Sequence, residues 1–100
     1  MKKVTMRNGE NDFIGGMIFH KRVKRVIDMM EPDEELAIDL SGLYLDSSVI
    51  GTLLAIFTTC KKKQIPMRIV NLSDESCKVL TITGVINILN VERTKGEAGN

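Results

Sequence analysis

Residues 36–54 read Leu36-Ala37-Ile38-Asp39-Leu40-Ser41-Gly42-Leu43-Tyr44-Leu45-Asp46-Ser47-Ser48-Val49-Ile50-Gly51-Thr52-Leu53-Leu54. The first five residues are a compact apolar run with a single acid, and Ser41-Gly42 punctuates its end, as at the close of a central strand. Asp46 or Ser47 is then the natural N-cap of a helix over about 47–63. A short side-chain oxygen there accepts one of the backbone N–H groups that a helix start leaves unpaired. Ile50, Leu53, Leu54 and Phe57 fall on one stripe of that helix, and Lys61-Lys62-Lys63 suits the negative end of its dipole. A strand followed by a short turn and an amphipathic helix is the first half of a βαβ unit.

The second half follows at once. Pro66 breaks the helix, and residues 67–72 (Met-Arg-Ile-Val-Asn-Leu) read as the next strand. Ser73, Asp74 and Glu75 supply a cap and first-turn acids for a helix over about 74–81, with Val79, Leu80 and Ile82 as its apolar face. Thr83-Gly84 interrupts it, and residues 85–89 begin a short last element. Toward the N-terminus, residues 2–7 alternate, with Val4 and Met6 on one side, as a half-buried strand does. Asn8-Gly9-Glu10-Asn11 reads as a turn, and a short strand over 12–14 is expected to pair back as a hairpin. After Gly15-Gly16, themselves read as a turn, Phe19, Val23, Val26, Ile27 and Met30 recur at helical spacing. That predicts a helix over about 16–30, closed by Glu31-Pro32. The order implies one domain over 1–91 with a largely parallel sheet, and a frayed, charged tail over 92–100.

Composition narrows the function. With 43% hydrophobic and 27% charged residues the chain is an ordinary folded module, and 100 residues bury one core with little left for a catalytic cavity. Fourteen Lys and Arg stand against 13 Asp and Glu, so no global field exists to hold nucleic acid. No apolar run approaches the ~20 residues of a membrane span. No membrane insertion and a cytoplasmic location are expected. Cys60 and Cys77 are too few for a zinc site and read as reduced thiols. His20 is the only histidine, lying among Lys21, Arg22, Lys24 and Arg25 on what reads as a solvated helix face. That removes the usual nucleophile–histidine constellations, and no cofactor is implied.

Chemistry concentrates at Asp46, Ser47 and Ser48, between the carboxyl end of a central strand and the start of the next helix. The unpaired N–H groups and partial positive charge of that helix start stabilise an anion, so a hydroxyl here can carry a phosphoryl group without unfolding the helix. The same three residues also serve simply as a good cap. No phosphate-binding glycine motif is present. As a nucleophile, Ser48 would need a base, and none is evident near it in sequence.

The segment from Leu36 to about Val91 resembles the STAS domain of bacterial anti-sigma factor antagonists. Asp39-Leu40-Ser41 matches its D-L-S strand end, Asp46-Ser47-Ser48 its D-S-S-G-[LI]-G motif, and residues 83–89 its later T-G-[LV]-x-x-[IL]-[LF] turn. The G-x-L-D signature ahead of the family's first helix is not recognisable here. The resemblance implies an α/β fold with a mixed sheet of four to five strands, mostly parallel with an antiparallel N-terminal edge, against about four helices. It implies a non-enzymatic protein that binds an anti-sigma factor with serine kinase activity, so releasing a sigma factor. Phosphorylation of Ser48 would switch the binding off, with a serine phosphatase as a further partner. The partner surface would centre on Asp46, Ser47, Ser48, Val49 and Thr52. The alternative within the family is a non-phosphorylated STAS subunit of a stress-signalling or membrane lipid-transport assembly.

Val49 departs from the pattern, standing where the family has glycine. A β-branched side chain there is expected to crowd Ser48. With Leu53, Ile56 and Cys60 it also extends a second apolar stripe, which reads either as a wide core-facing surface or as a partner-binding patch.

Overall fold

Leu36, Ala37, Ile38 and Asp39 are all buried, as a strand paired along both edges requires. In the computed structural model, which describes residues 1–92, they form β2 (Leu36–Asp39) between β1 (Lys2–Thr5) and β3 (Met67–Val70). The three strands are parallel, and Ile38 lies in register with Val4 on one side and Ile69 on the other. Parallel neighbours need crossovers, which α1 (Phe13–Asp28) and α2 (Ser47–Lys63) supply. After β3 come α3 (Asp74–Ile82) and one 3₁₀ turn, Val85–Asn87.

The apolar periodicity does what it predicts. Phe19, Val23 and Ile27 of α1 meet Val49, Leu53, Ile56 and Cys60 of α2 in one core with Val4, Ile38 and Ile69 of the sheet. The second stripe of α2 is therefore core, since α2 is covered by α1 as well as by the sheet. The basic end of α2 also serves its neighbour: Lys63 Nζ donates to the Ile27 carbonyl, 2.7 Å away, at the negative end of α1. Gln64 ends α2 in the left-handed region at φ 62°, its N–H donating to the Cys60 and Lys61 carbonyls.

Three expectations are corrected. The strand over 12–14 and its antiparallel edge do not form, because Asp12 caps a helix instead: its Oδ1 accepts the Gly15 N–H at 2.7 Å, and α1 begins at Phe13. Gly15-Gly16 thus lies inside the first turn of α1. The sheet has three strands among the described residues rather than four to five. Beyond β3 there is a single parallel bridge between Ile69 and Val91, held by Ile69 N–H to the Asn90 carbonyl and Glu92 N–H to the Ile69 carbonyl. Three α-helices and the 3₁₀ turn stand in place of about four helices, because Gly84, at φ 78°, separates the last segment from α3. Glu92, placed in the expected tail, also pairs with Arg68 at 3.3 Å; residues 93–100 lie outside the described residues.

Arg22 is the largest departure from a solvated basic face. Its Nε and Nη2 donate to the two carboxylate oxygens of buried Glu10 at 2.9 and 2.7 Å, and Nη2 also reaches the Thr5 carbonyl. The Arg7 N–H completes the set on Glu10 Oε1 at 2.7 Å. These bonds hold the Glu10 carboxyl below its ordinary value, the Arg22 hydrogen bond first among the causes, and the turn between β1 and α1 is locked onto the α1 surface.

Candidate functional site

The loop that carries the D-S-S motif is fixed from both sides. On one side the Asp46 N–H donates to the Asn11 carbonyl at 3.0 Å, and Asn11 Nδ2 donates to the Tyr44 carbonyl at 2.7 Å. On the other, the Leu45 N–H donates to the buried Ser76 hydroxyl at 3.0 Å, which in turn points at the Leu43 carbonyl. Ser73, the cap of α3, orients Ser76 through bonds at 2.9 and 3.1 Å. The loop is thereby tied from both sides and presented at the surface.

Asp46 rather than Ser47 is the cap. Its backbone is extended, and Oδ1 accepts both the Ser48 N–H at 3.0 Å and the Ser48 hydroxyl at 3.2 Å. The Ser48 N–H, then its hydroxyl, hold the Asp46 carboxyl below the usual range, so it is anionic at neutral pH. Ser47 is exposed, and Ser48 and Thr52 are half-buried. Four of the five residues expected at a partner surface therefore reach solvent together on the first turns of α2. Val49 does not. It is fully buried, with Cγ2 3.4 Å from the position a Cβ on Gly16 would take, so it neither faces solvent nor crowds the exposed side of Ser48. Position 16 of α1 lies directly over position 49 of α2, so α1 covers Val49.

The family model for the STAS domain matches residues 12–98. This chain belongs to the STAS domain family. Two STAS relatives named anti-sigma-B factor antagonist, from Listeria monocytogenes serovar 1/2a and Listeria innocua serovar 6a, are each 28% identical over 79 residues. The aligned region covers 76% of this chain and 69% of each relative. The D-L-S corner of this STAS domain is an internal network: Asp39 Oδ1 accepts from the Ser41 N–H and from Asn71 Nδ2, both at 2.9 Å, and Lys3 Nζ lies 3.3 Å from Oδ2. Burial pushes the Asp39 carboxyl up, but those bonds outweigh it and hold it below its ordinary value. The open depression of about 380 Å³ beside it is thus lined by groups that satisfy one another.

Asn11 and Ser76 were not among the residues expected to matter. Ser73-x-x-Ser76 is legible as a cap pattern, yet nothing local ties it to Leu45, 31 positions earlier.

Proposed function

We propose that this STAS protein is an anti-sigma factor antagonist that binds its anti-sigma factor through the start of α2 and is released when Ser48 is phosphorylated. The observation that carries the reading is the Ser48 hydroxyl, which reaches solvent on the first turn of α2 and lies 3.2 Å from the Asp46 carboxylate. Asp46, Ser47 and Thr52 complete the contact surface. The relatives' names support the antagonist role, and the hydrogen bonds that tie the loop support docking onto a preformed surface.

In the modification step the Ser48 Oγ gives up its proton and bonds to the γ-phosphorus of ATP on the kinase, while the bond to ADP breaks. The product carries about −1.5 to −2 charges at neutral pH. Its oxygens compete with Asp46 for the same helix N–H groups and repel that carboxylate, so the corner acquires a second anion where it had one. A charge left unpaired in a closed interface costs roughly 2–5 kcal/mol, or about 30- to 5,000-fold in affinity. In this reading the protein is a cytoplasmic regulator, not an enzyme. Residues 1–91 act as a single domain, and a serine phosphatase resets it.

The test incubates the protein with ATP and each anti-sigma kinase encoded in the same genome, maps phosphate by mass spectrometry, and measures binding of Ser48→Ala and Ser48→Asp. The expected result is phosphate at Ser48, retained binding by Ser48→Ala and loss with Ser48→Asp. Absence of phosphate at Ser48 with every kinase, together with unchanged binding by Ser48→Asp, sinks the switch. Recovery of the unmodified chain in a large STAS assembly or a lipid transporter would favour the alternative role.

A further inference from the structure

The first two turns of α1 carry a surface that the Ser48 switch does not use. Phe13, Ile14, Met17 and Ile18 are 64, 66, 51 and 54% exposed. Helical spacing puts all four on the face opposite buried Gly15, Gly16, Phe19 and Val23. Exposed apolar residues are ordinary when scattered, but this contiguous group presents on the order of 400 Å², within the size range of functional patches. Tyr44, 56% exposed, stands beside it, because its carbonyl is held by Asn11, the residue before the α1 cap. The patch adjoins the start of α2 at its N-terminal end: the Asp46 N–H donates to the carbonyl of Asn11, two residues before Phe13.

The same face runs on into Lys21, Lys24 and Arg25, all exposed. Among the described residues none of the three is ion-paired, whereas Arg22 is committed to Glu10. The surface is therefore bipartite along the helix, apolar for two turns and cationic for the next two.

We propose that this face of α1 is the second half of the docking surface and receives an amphipathic segment of the anti-sigma factor, apolar where it meets Met17 and Ile18 and carboxylate-bearing where it meets Lys21, Lys24 and Arg25. The inference rests on the functional reading above. The apolar turns supply affinity by desolvation, and the cations set orientation and encounter rate. An acidic partner also sharpens the switch, since phosphate at the adjoining α2 corner then meets like charge.

Charge selects this occupant over two others. A planar anionic membrane would press on the whole face at once, including exposed Asp12 and Asp28 at its two ends, both of which a short segment laid from Met17 to Arg25 avoids. A second copy, paired two-fold across the apolar turns, would bring each cationic half toward the positive N-terminal end of the other α1.

The test titrates the anti-sigma factor that binds the unsubstituted chain, by calorimetry, into Met17→Ser/Ile18→Ser, Lys21→Glu/Lys24→Glu and, as a control, Ile82→Ser, which is 85% exposed elsewhere. All positions are exposed, and thermal midpoints confirm folding. Weakening of at least tenfold by each double variant, no change with Ile82→Ser, and a flatter salt dependence for the Lys21→Glu/Lys24→Glu variant support the proposal. Affinities within twofold of the unsubstituted chain overturn it while leaving the Ser48 switch standing. Failure of the unsubstituted chain to bind any anti-sigma factor overturns both. Sedimentation showing a dimer that Met17→Ser/Ile18→Ser dissolves, or flotation with phosphatidylglycerol vesicles that it abolishes, assigns the face to another occupant and overturns it.

Discussion

Gly15 and Gly16 are adjacent, both buried and both in the first turn of α1, yet replacing each by alanine should have opposite effects. At Gly16 the new Cβ would find Val49 Cγ2 at 3.4 Å and Thr52 Oγ1 at 3.6 Å, ordinary contacts. The substitution then gains up to about 1 kcal/mol from helix propensity. At Gly15 the Cβ would fall 1.8 Å from the Gly9 carbonyl oxygen and 2.6 Å from Glu10 Cα, so the backbone of the turn must retreat. That displaces Glu10 from the Arg7 N–H and from both nitrogens of Arg22. Overpacking costs about 1–3 kcal/mol, and separating a buried ion pair about 3–5 kcal/mol if the turn yields fully. The propensity gain is common to both variants, so the expected difference is the cost at Gly15, about 1–5 kcal/mol, or at least roughly 4 °C in thermal midpoint for a domain of this size. Urea titrations followed by far-ultraviolet circular dichroism measure it directly, with unchanged slopes confirming that the surface exposed on unfolding is the same in both variants. A Gly15→Ala protein as stable as the original would refute the claim that the Gly9–Glu10 turn is clamped between β1 and α1.

Other outcomes follow from the same contacts. Asp46→Ala should lower the denaturation midpoint, because the Ser48 N–H loses its acceptor, and Asp46→Asn should restore most of the loss in the same titration. Glu10 has a folded-state pKa below its ordinary 4.5, so its contribution is fully present above about pH 4.5 and is lost as pH falls through the lower folded value. Glu10→Gln should therefore lose about 3 kcal/mol at pH 7 and show a shallower stability decline on the acid side, as read from denaturation midpoints between pH 2 and 7. Cys60 is buried and its thiol is pushed up to about 11, so in native protein it should resist a thiol reagent at pH 8 until unfolding; half-buried Cys77 should react first, as peptide mapping would reveal.

The elements most legible in the sequence are those made by local contacts. The helix over 47–63, capped by one of the two residues expected, and the strand, one residue shorter than the apolar run 36–40, follow from spacing and capping within a few residues, and α3 runs one residue longer than expected. The start of α1 is the clear failure. Asn8-Gly9 imitates a hairpin turn, and a cap at Asp12 competes with it on equal local terms; the decision comes from Arg22, twelve residues after Glu10. The site was legible to a similar degree. Ser48 and Asp46 announce themselves by motif, whereas Val49 reads as surface or core until α1 is known to cover it.

By itself, then, the sequence determined the order of strands and helices from Leu36 onward, the cap of α3, and a motif specific enough to indicate the family, because each depends on chemistry between near neighbours. Which face of each helix is covered was decided only in three dimensions. Val49 is core because α1 covers it, Arg22 is bound because Glu10 lies beneath it, and Phe13, Ile14, Met17 and Ile18 remain exposed because the described chain brings nothing over them. Burial is a property of pairs of distant residues, and no periodicity along one helix contains the identity of the surface packed against it.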